Sequence, residues 1–110
     1  MYEFSTAQQQ TLRLQVDERG ITFVCVGSDR MGSEYFERGQ SWSSIQDLLA
    51  RLRAKQRYFS KDSSLSVWQM GHELHVKFYA LDRFHEETLT FSGAAAEKIL
   101  CMLRNLPNLN

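Results

Sequence analysis

Five cations, Arg51, Arg53, Lys55, Arg57 and Lys61, run through residues 51–61 without an intervening acid, and Tyr58 and Phe59 sit among them. Cations interleaved with aromatic rings suit phosphate neutralisation and base stacking. The same run has a plainer use, because cations at a helix C-terminus are favoured by the helix dipole and keep an exposed face solvated. A second group follows in Trp68, His75, Lys77 and Tyr79. If Leu74, Val76 and Phe78 turn inward along a strand, His75, Lys77 and Tyr79 share the opposite face. Trp68 joins them if Leu65 and Val67 also point inward. A sheet face carrying these residues predicts a partner. Aromatic side chains favour protein interfaces, so a protein partner or a homodimer is expected ahead of single-stranded nucleic acid.

No catalytic constellation accompanies them. His72 and His75 lie three apart, which on a strand places them on opposite faces and rules out a shared metal ion. His85, before Glu86-Glu87, reads as a solvated surface histidine. Cys101 is expected on the outer side of the last helix with no base beside it, and Cys25 in a buried strand, so neither reads as a nucleophile or as half of a disulfide. The carboxylate pairs Asp17-Glu18 and Glu86-Glu87 fall in a turn or on alternating strand faces, where no perturbed acid is expected. Gly27 and Gly32 lack the glycine and lysine that complete a phosphate loop. The sequence therefore predicts a chain that is not an enzyme and needs no cofactor.

The whole chain limits the classes further. Its 110 residues suffice for one domain with its own core, and 43% hydrophobic with 24% charged residues is globular composition. Thirteen basic residues balance thirteen acidic ones, so no net field draws it toward nucleic acid or a membrane. The start, Met1-Tyr2-Glu3-Phe4-Ser5, has no leader pattern, and no apolar run approaches the ~18 residues of a spanning helix. A cytoplasmic protein that does not enter membranes is expected.

The elements that must position these residues are written twice. A shift of 51 residues lays Leu14, Val16, Gly20, Ser41, Leu49, Leu52 and Arg53 on Leu65, Val67, Gly71, Ser92, Leu100, Leu103 and Arg104, suggesting half-repeats over 11–55 and 62–106. At that shift Trp68, His75, Lys77 and Tyr79 replace Asp17, Val24, Val26 and Ser28, so the halves differ where function is expected. Leu12 to Val16 alternates as a strand, Asp17-Glu18-Arg19-Gly20 turns with a glycine supplying positive φ, and Ile21 to Val26 returns centrally in the sheet. After the turn residues 27–33, Glu34 to Arg38 forms a third strand. A helix follows, capped by Ser43 or Ser44 with Gln46 or Asp47 completing a capping box, and striped by Ile45, Leu48, Leu49 and Leu52.

The second unit runs Leu65 to Gln69, a Met70-Gly71-His72 turn, Glu73 to Tyr79 and Glu86 to Phe91. Ser92 then caps a helix striped by Ala96, Ile99, Leu100, Leu103 and Leu106 and stopped by Pro107. Tyr2 and Phe4 alternate in a way that suits an extra edge strand. The expected fold is α+β, a mainly antiparallel sheet with two helices on one face in a βββα-βββα pseudo-repeat. In outline this repeated sheet-then-helix plan resembles that of the PUR-repeat and Whirly single-strand binders. The resemblance implies single-stranded nucleic acid as the alternative ligand and assigns no residue, because no motif of those families is present. The expected contact residues remain Trp68, His75, Lys77 and Tyr79 on the sheet and Arg51, Arg53, Lys55, Arg57 and Tyr58 in the basic run.

Overall fold

The computed structural model describes residues 2–27, 35–80 and 86–106. Its elements are β1 (Tyr2–Ser5), β2 (Thr11–Val16), β3 (Gly20–Val26), β4 (Tyr35–Ser41) and α1 (Trp42–Arg53), then β5 (Tyr58–Phe59), β6 (Leu65–Met70), β7 (Glu73–Tyr79), β8 (Glu86–Ser92) and α2 (Gly93–Asn105). The protein is α+β, and the pseudo-repeat is present as two strand-rich units, each ended by a helix. Each unit has four strands where three were expected, and each makes its own antiparallel sheet, ordered β1-β2-β3-β4 and β5-β6-β7-β8. The added strands are the Tyr2/Phe4 segment and the two residues Tyr58–Phe59 inside the basic run. The expected turn at 28–33, with Gly32, and the expected stop at Pro107 lie outside the described residues, as does His85.

Both sheets and both helices contribute to one core, each turning an apolar side toward it. Leu12, Leu14, Phe23 and Cys25 come from the first sheet and Leu65, Val67, Val76, Phe78 and Phe91 from the second. Rings join the sheets directly: Phe36 stacks on Phe78 with centroids 6.0 Å apart, and Phe4 meets Phe91 edge-on at 6.4 Å. The helix stripes are buried as their spacing predicts, with Ile45, Leu48, Leu49 and Leu52 on α1 and Ala96, Ile99, Leu100 and Leu103 on α2. Burying each such leucine or isoleucine is worth about 1.5–3 kcal/mol, which holds these short helices in place.

Helix α1 begins earlier than the serine pattern suggested. The N-cap is Ser41, whose hydroxyl accepts from Ser44 N–H at 3.2 Å, so neither Ser43 nor Ser44 caps the helix. Strand β4 runs on through Gly39 to Ser41, leaving Ser41 the last extended residue and hence the cap. At the other end Lys55 N–H bonds Leu52 O and Gln56 N–H bonds Arg51 O, closing the helix with Lys55 at φ +58°. Ser92 holds the N-cap position of α2, without a side-chain bond to the helix.

The strand registers refine the match between the halves. Gly20 pairs with Ser41, yet the residue facing Ser92 is Glu73 and not Gly71. The β6–β7 hairpin has therefore slid two residues along β8, while β8 and α2 keep the 51-residue offset from β4 and α1. A slide of two leaves every side chain on its own face. The residues equivalent to Trp68, His75, Lys77 and Tyr79 are accordingly Gln15, Thr22, Val24 and Val26, not Asp17, Val24, Val26 and Ser28.

Candidate functional site

Along β7, Leu74, Val76 and Phe78 are buried, while His75, Lys77 and Tyr79 alternate with them at intermediate exposure. Cross-strand pairing completes the outer face. Trp68 lies opposite His75, Ser66 opposite Lys77, and Thr90 and Thr88 extend those two rows onto β8. The Trp68 indole and the His75 imidazole stack at 5.1 Å with planes 8° apart. On β5, Phe59 pairs with Ser66, so the outer face begins at the edge with an aromatic ring 52% exposed.

Arg57 binds this row together. Its guanidinium carbon lies 3.8 Å from the Trp68 ring centre and 4.9 Å from that of Phe59. Nη2 donates to Tyr79 Oη at 3.2 Å, and Nε donates to the fully buried Ser66 hydroxyl. The result is a ladder that runs from Arg57, just before β5, across Trp68, His75 and Thr90 on three strands, with His75 Nδ1 and Thr90 Oγ1 3.1 Å apart. Lys77 caps the Tyr79 ring at 5.0 Å and pairs with Glu86 at 3.2 Å. His75 Nε2 is buried without a hydrogen bond, although a Glu73 carboxylate oxygen stands 3.5 Å away, too far for more than a weak attraction.

The basic run is thus divided by the fold. Arg57 alone reaches the sheet face. Arg51, Arg53, Lys55 and Lys61 are exposed, Arg51 in a loose 3.5 Å pair with Asp47 one helical turn away. Tyr58 faces the core at 3% exposure and donates its hydroxyl hydrogen to Gln40 Oε1, so it offers nothing to a partner on this face. Burial pushes its phenol above the ordinary range, with Asp47 and Asp62 adding to the rise and the Ser44 hydroxyl partly opposing it. Phe59 is the aromatic of the run that stands outside, a placement not legible in the sequence. A strand two residues long has no period from which its faces can be read.

Beyond the ladder, the segment from Ser60 to Ser64 folds around Asp62. Its Oδ1 accepts from Ser64 N–H, Ser64 Oγ and Ser60 Oγ, and Ser60 Oγ in turn accepts from Leu65 N–H. The bonds from Ser64 and then Ser60 lower the Asp62 carboxyl to about 2. Two open clefts of about 510 Å³ each adjoin this segment. One follows the edge of β4, with Arg38, Gln40, Ser44 and Lys61 among its lining residues. Two of these side chains are engaged internally: Arg38 donates to Tyr79 O at 2.6 Å, and Ser44 Oγ accepts from Ser41 Oγ at 3.1 Å. The other crosses the end of the second sheet, lined by Phe59, Asp62, Ser64, Tyr79 and Glu86 among others.

The described residues lining the two clefts include no histidine or cysteine; Lys61 lines the first cleft and Asp62 lines both. Asp17 accepts from the backbone N–H groups of Arg19 and Gly20, and Glu87 accepts from Gln10, which ties the paired carboxylates into structure. Cys25 is buried; Cys101 is exposed and accepts from Asn105 Nδ2 at 3.2 Å. Among the described residues no group of three or more histidine, cysteine or carboxylate side chains could hold a metal ion, and no helix is long and apolar enough to cross a membrane. No protein family, curated protein or solved structure matches the chain.

Proposed function

We propose that the chain is a non-catalytic cytoplasmic binding module that engages a protein through the outer face of its second sheet, a second copy of the chain being one such partner. The supporting observation is the Arg57-Trp68-His75 ladder. It sets large rings at intermediate exposure in a fixed array, the kind of rigid amphipathic surface that protein interfaces use as anchors. The first sheet has only Gln15, Thr22, Val24 and Val26 at the equivalent positions.

Protein is favoured over single-stranded nucleic acid by what already covers the rings. A base stacks on an open ring face, whereas Trp68 has Arg57 on one side and His75 on the other. Phosphates would also meet Glu86 beside Lys77 and Glu73 beside His75. The freely exposed cations Arg53 and Lys55 belong to the end of α1.

Sedimentation at rising protein concentration tests this, combined with quenching of Trp68 fluorescence in a Trp42→Phe background and titration with a labelled single-stranded oligonucleotide at two salt concentrations. The expected result is protection of Trp68 in a protein assembly and no oligonucleotide binding even at low salt, where phosphate contacts are strongest. Low-salt oligonucleotide binding that protects Trp68 overturns the protein assignment. A monomer with Trp68 equally accessible at every concentration removes the second copy as partner.

A further inference from the structure

Among the described residues, the Phe, Trp and Tyr rings on the outer face of the second sheet each hold a cation. Arg57 lies on Trp68 and Phe59, and Lys77 lies on Tyr79. At the end of the same sheet, the cleft of about 510 Å³ is lined by two of these rings, Phe59 and Tyr79, and by the carboxylates of Asp62 and Glu86. No described cation lines it. Phe59 is half exposed even with Arg57 beside it, and the Glu86 side chain is 57% exposed although Lys77 reaches it. The hydrogen bonds that Ser60 and Ser64 make to the Asp62 side chain all fall on Oδ1. Those bonds also keep the carboxylate ionised down to about pH 2, so its charge is present under any physiological condition.

We propose that this cleft receives the guanidinium of an arginine side chain presented by the protein partner. Two aromatic rings and two carboxylates attract a cation through both ring quadrupole and charge. A planar guanidinium suits them better than an ammonium, because it can lie on a ring while its edge donates to a carboxylate, as Arg57 lies on Trp68 while donating to Ser66 and Tyr79. The cleft opens on the face that carries the ladder, so a segment laid across Trp68 can place an arginine at the sheet end. This inference rests on the protein-binding reading above and adds the chemistry of the partner to it.

The test is a titration of the intact chain with a blocked Gly-Arg-Gly peptide, followed through backbone amide resonances, against matched peptides carrying citrulline or lysine. Saturable shifts of Phe59, Ser64, Tyr79 and Ala80 by the arginine peptide are expected, with the citrulline peptide inert and the lysine peptide weaker. Glu86→Gln should weaken arginine binding about two- to fivefold, the range of an exposed ion pair. Phe59→Leu should weaken it as well, removing a ring and leaving every charge. Absence of saturable shifts, shifts confined to other parts of the chain, or equal binding of the citrulline or lysine peptide overturns the proposal. These failures leave the sheet-face reading intact if a protein still protects Trp68. Arginine binding in a chain whose Trp68 no protein ever protects would instead keep the cleft and remove that reading.

Discussion

The guanidinium of Arg57 rests 3.8 Å from the centre of the Trp68 indole, and both belong to the row that continues into His75. A residue from the connection after α1 thereby locks a side chain of the second sheet. The pairing turns one of five similar cations into part of a sheet face and leaves the others in solvent.

Replacing Arg57 with alanine should uncover Trp68 and destabilise the fold. The cation–π contact is worth about 1 kcal/mol, and the Ser66 hydroxyl, which is 0% exposed, would lose the donor it accepts from. A total loss of about 1–3 kcal/mol in urea unfolding is expected, with faster acrylamide quenching of Trp68 in the Trp42→Phe background. Arg57→Lys should recover only part of this, because an ammonium cannot both lie flat on the indole and reach Ser66 and Tyr79. Unchanged quenching in Arg57→Ala would show that Arg57 does not cover the ring.

The two hairpin glycines should respond differently to alanine. A Cβ on Gly20 would stand 1.9 Å from the backbone oxygen of Gln40 on β4, so the constraint is space between paired strands, and its φ of +158° borders extended backbone. Gly71 has φ +60° with nothing within 4 Å of its would-be Cβ, so only the left-handed backbone is at stake. Gly20→Ala should cost about 2–4 kcal/mol and Gly71→Ala about 1–2 kcal/mol, measured by chemical denaturation. Equal costs would mean that β4 yields freely.

How far the sequence reveals this fold depends on the length of each pattern. The stripes of α1 and α2 span three turns, and the 51-residue offset between them holds in β4 and β8 as well. Slippage of the β6–β7 hairpin by two residues could not be read, because an even slip preserves the alternation of apolar and polar positions. Strand β5 hid in the basic run for a related reason, being two residues long. Tyr58 and Phe59 looked alike there, yet one packs in the core and the other lines the outer face. The face of β7 was legible from Leu74, Val76 and Phe78. The special place of Arg57 was not, since only the pairing of β5 with β6 brings it beside Trp68.

Lys55 holds the left-handed position that closes α1, at φ +58°. A side chain with a Cβ is strained there by about 1 kcal/mol, and glycine is the residue that helix ends usually place at this point. Lys55→Gly should therefore raise stability by about 0.5–1 kcal/mol, read as a higher denaturation midpoint at unchanged slope. The same variant removes one charge of the basic run. Partner binding should be unaffected, because Lys55 is exposed beyond the helix and does not belong to the sheet-face ladder.

Acid should expose the role of Asp62. Its carboxyl titrates near 2 in the folded chain against an ordinary 3.8, held down first by the Ser64 hydroxyl, then by the Ser64 N–H and the Ser60 hydroxyl. A group depressed on folding contributes stability that is full above its unfolded value and is lost as pH falls through its folded value. The contribution of Asp62 is thus complete at pH 5 and fades between about pH 4 and 2. Asp62→Asn should lower the urea midpoint at pH 5 and lower it less at pH 2, and comparison of the two proteins at each pH cancels the titration of the other carboxylates. The effect should be modest, because the group is mostly exposed to solvent. A difference between the two proteins that is the same at both pH values would mean that the Ser60 and Ser64 bonds do not select the ionised form, and the 60–64 turn would then owe its shape to backbone bonds alone, such as Ser63 N–H to Ser60 O.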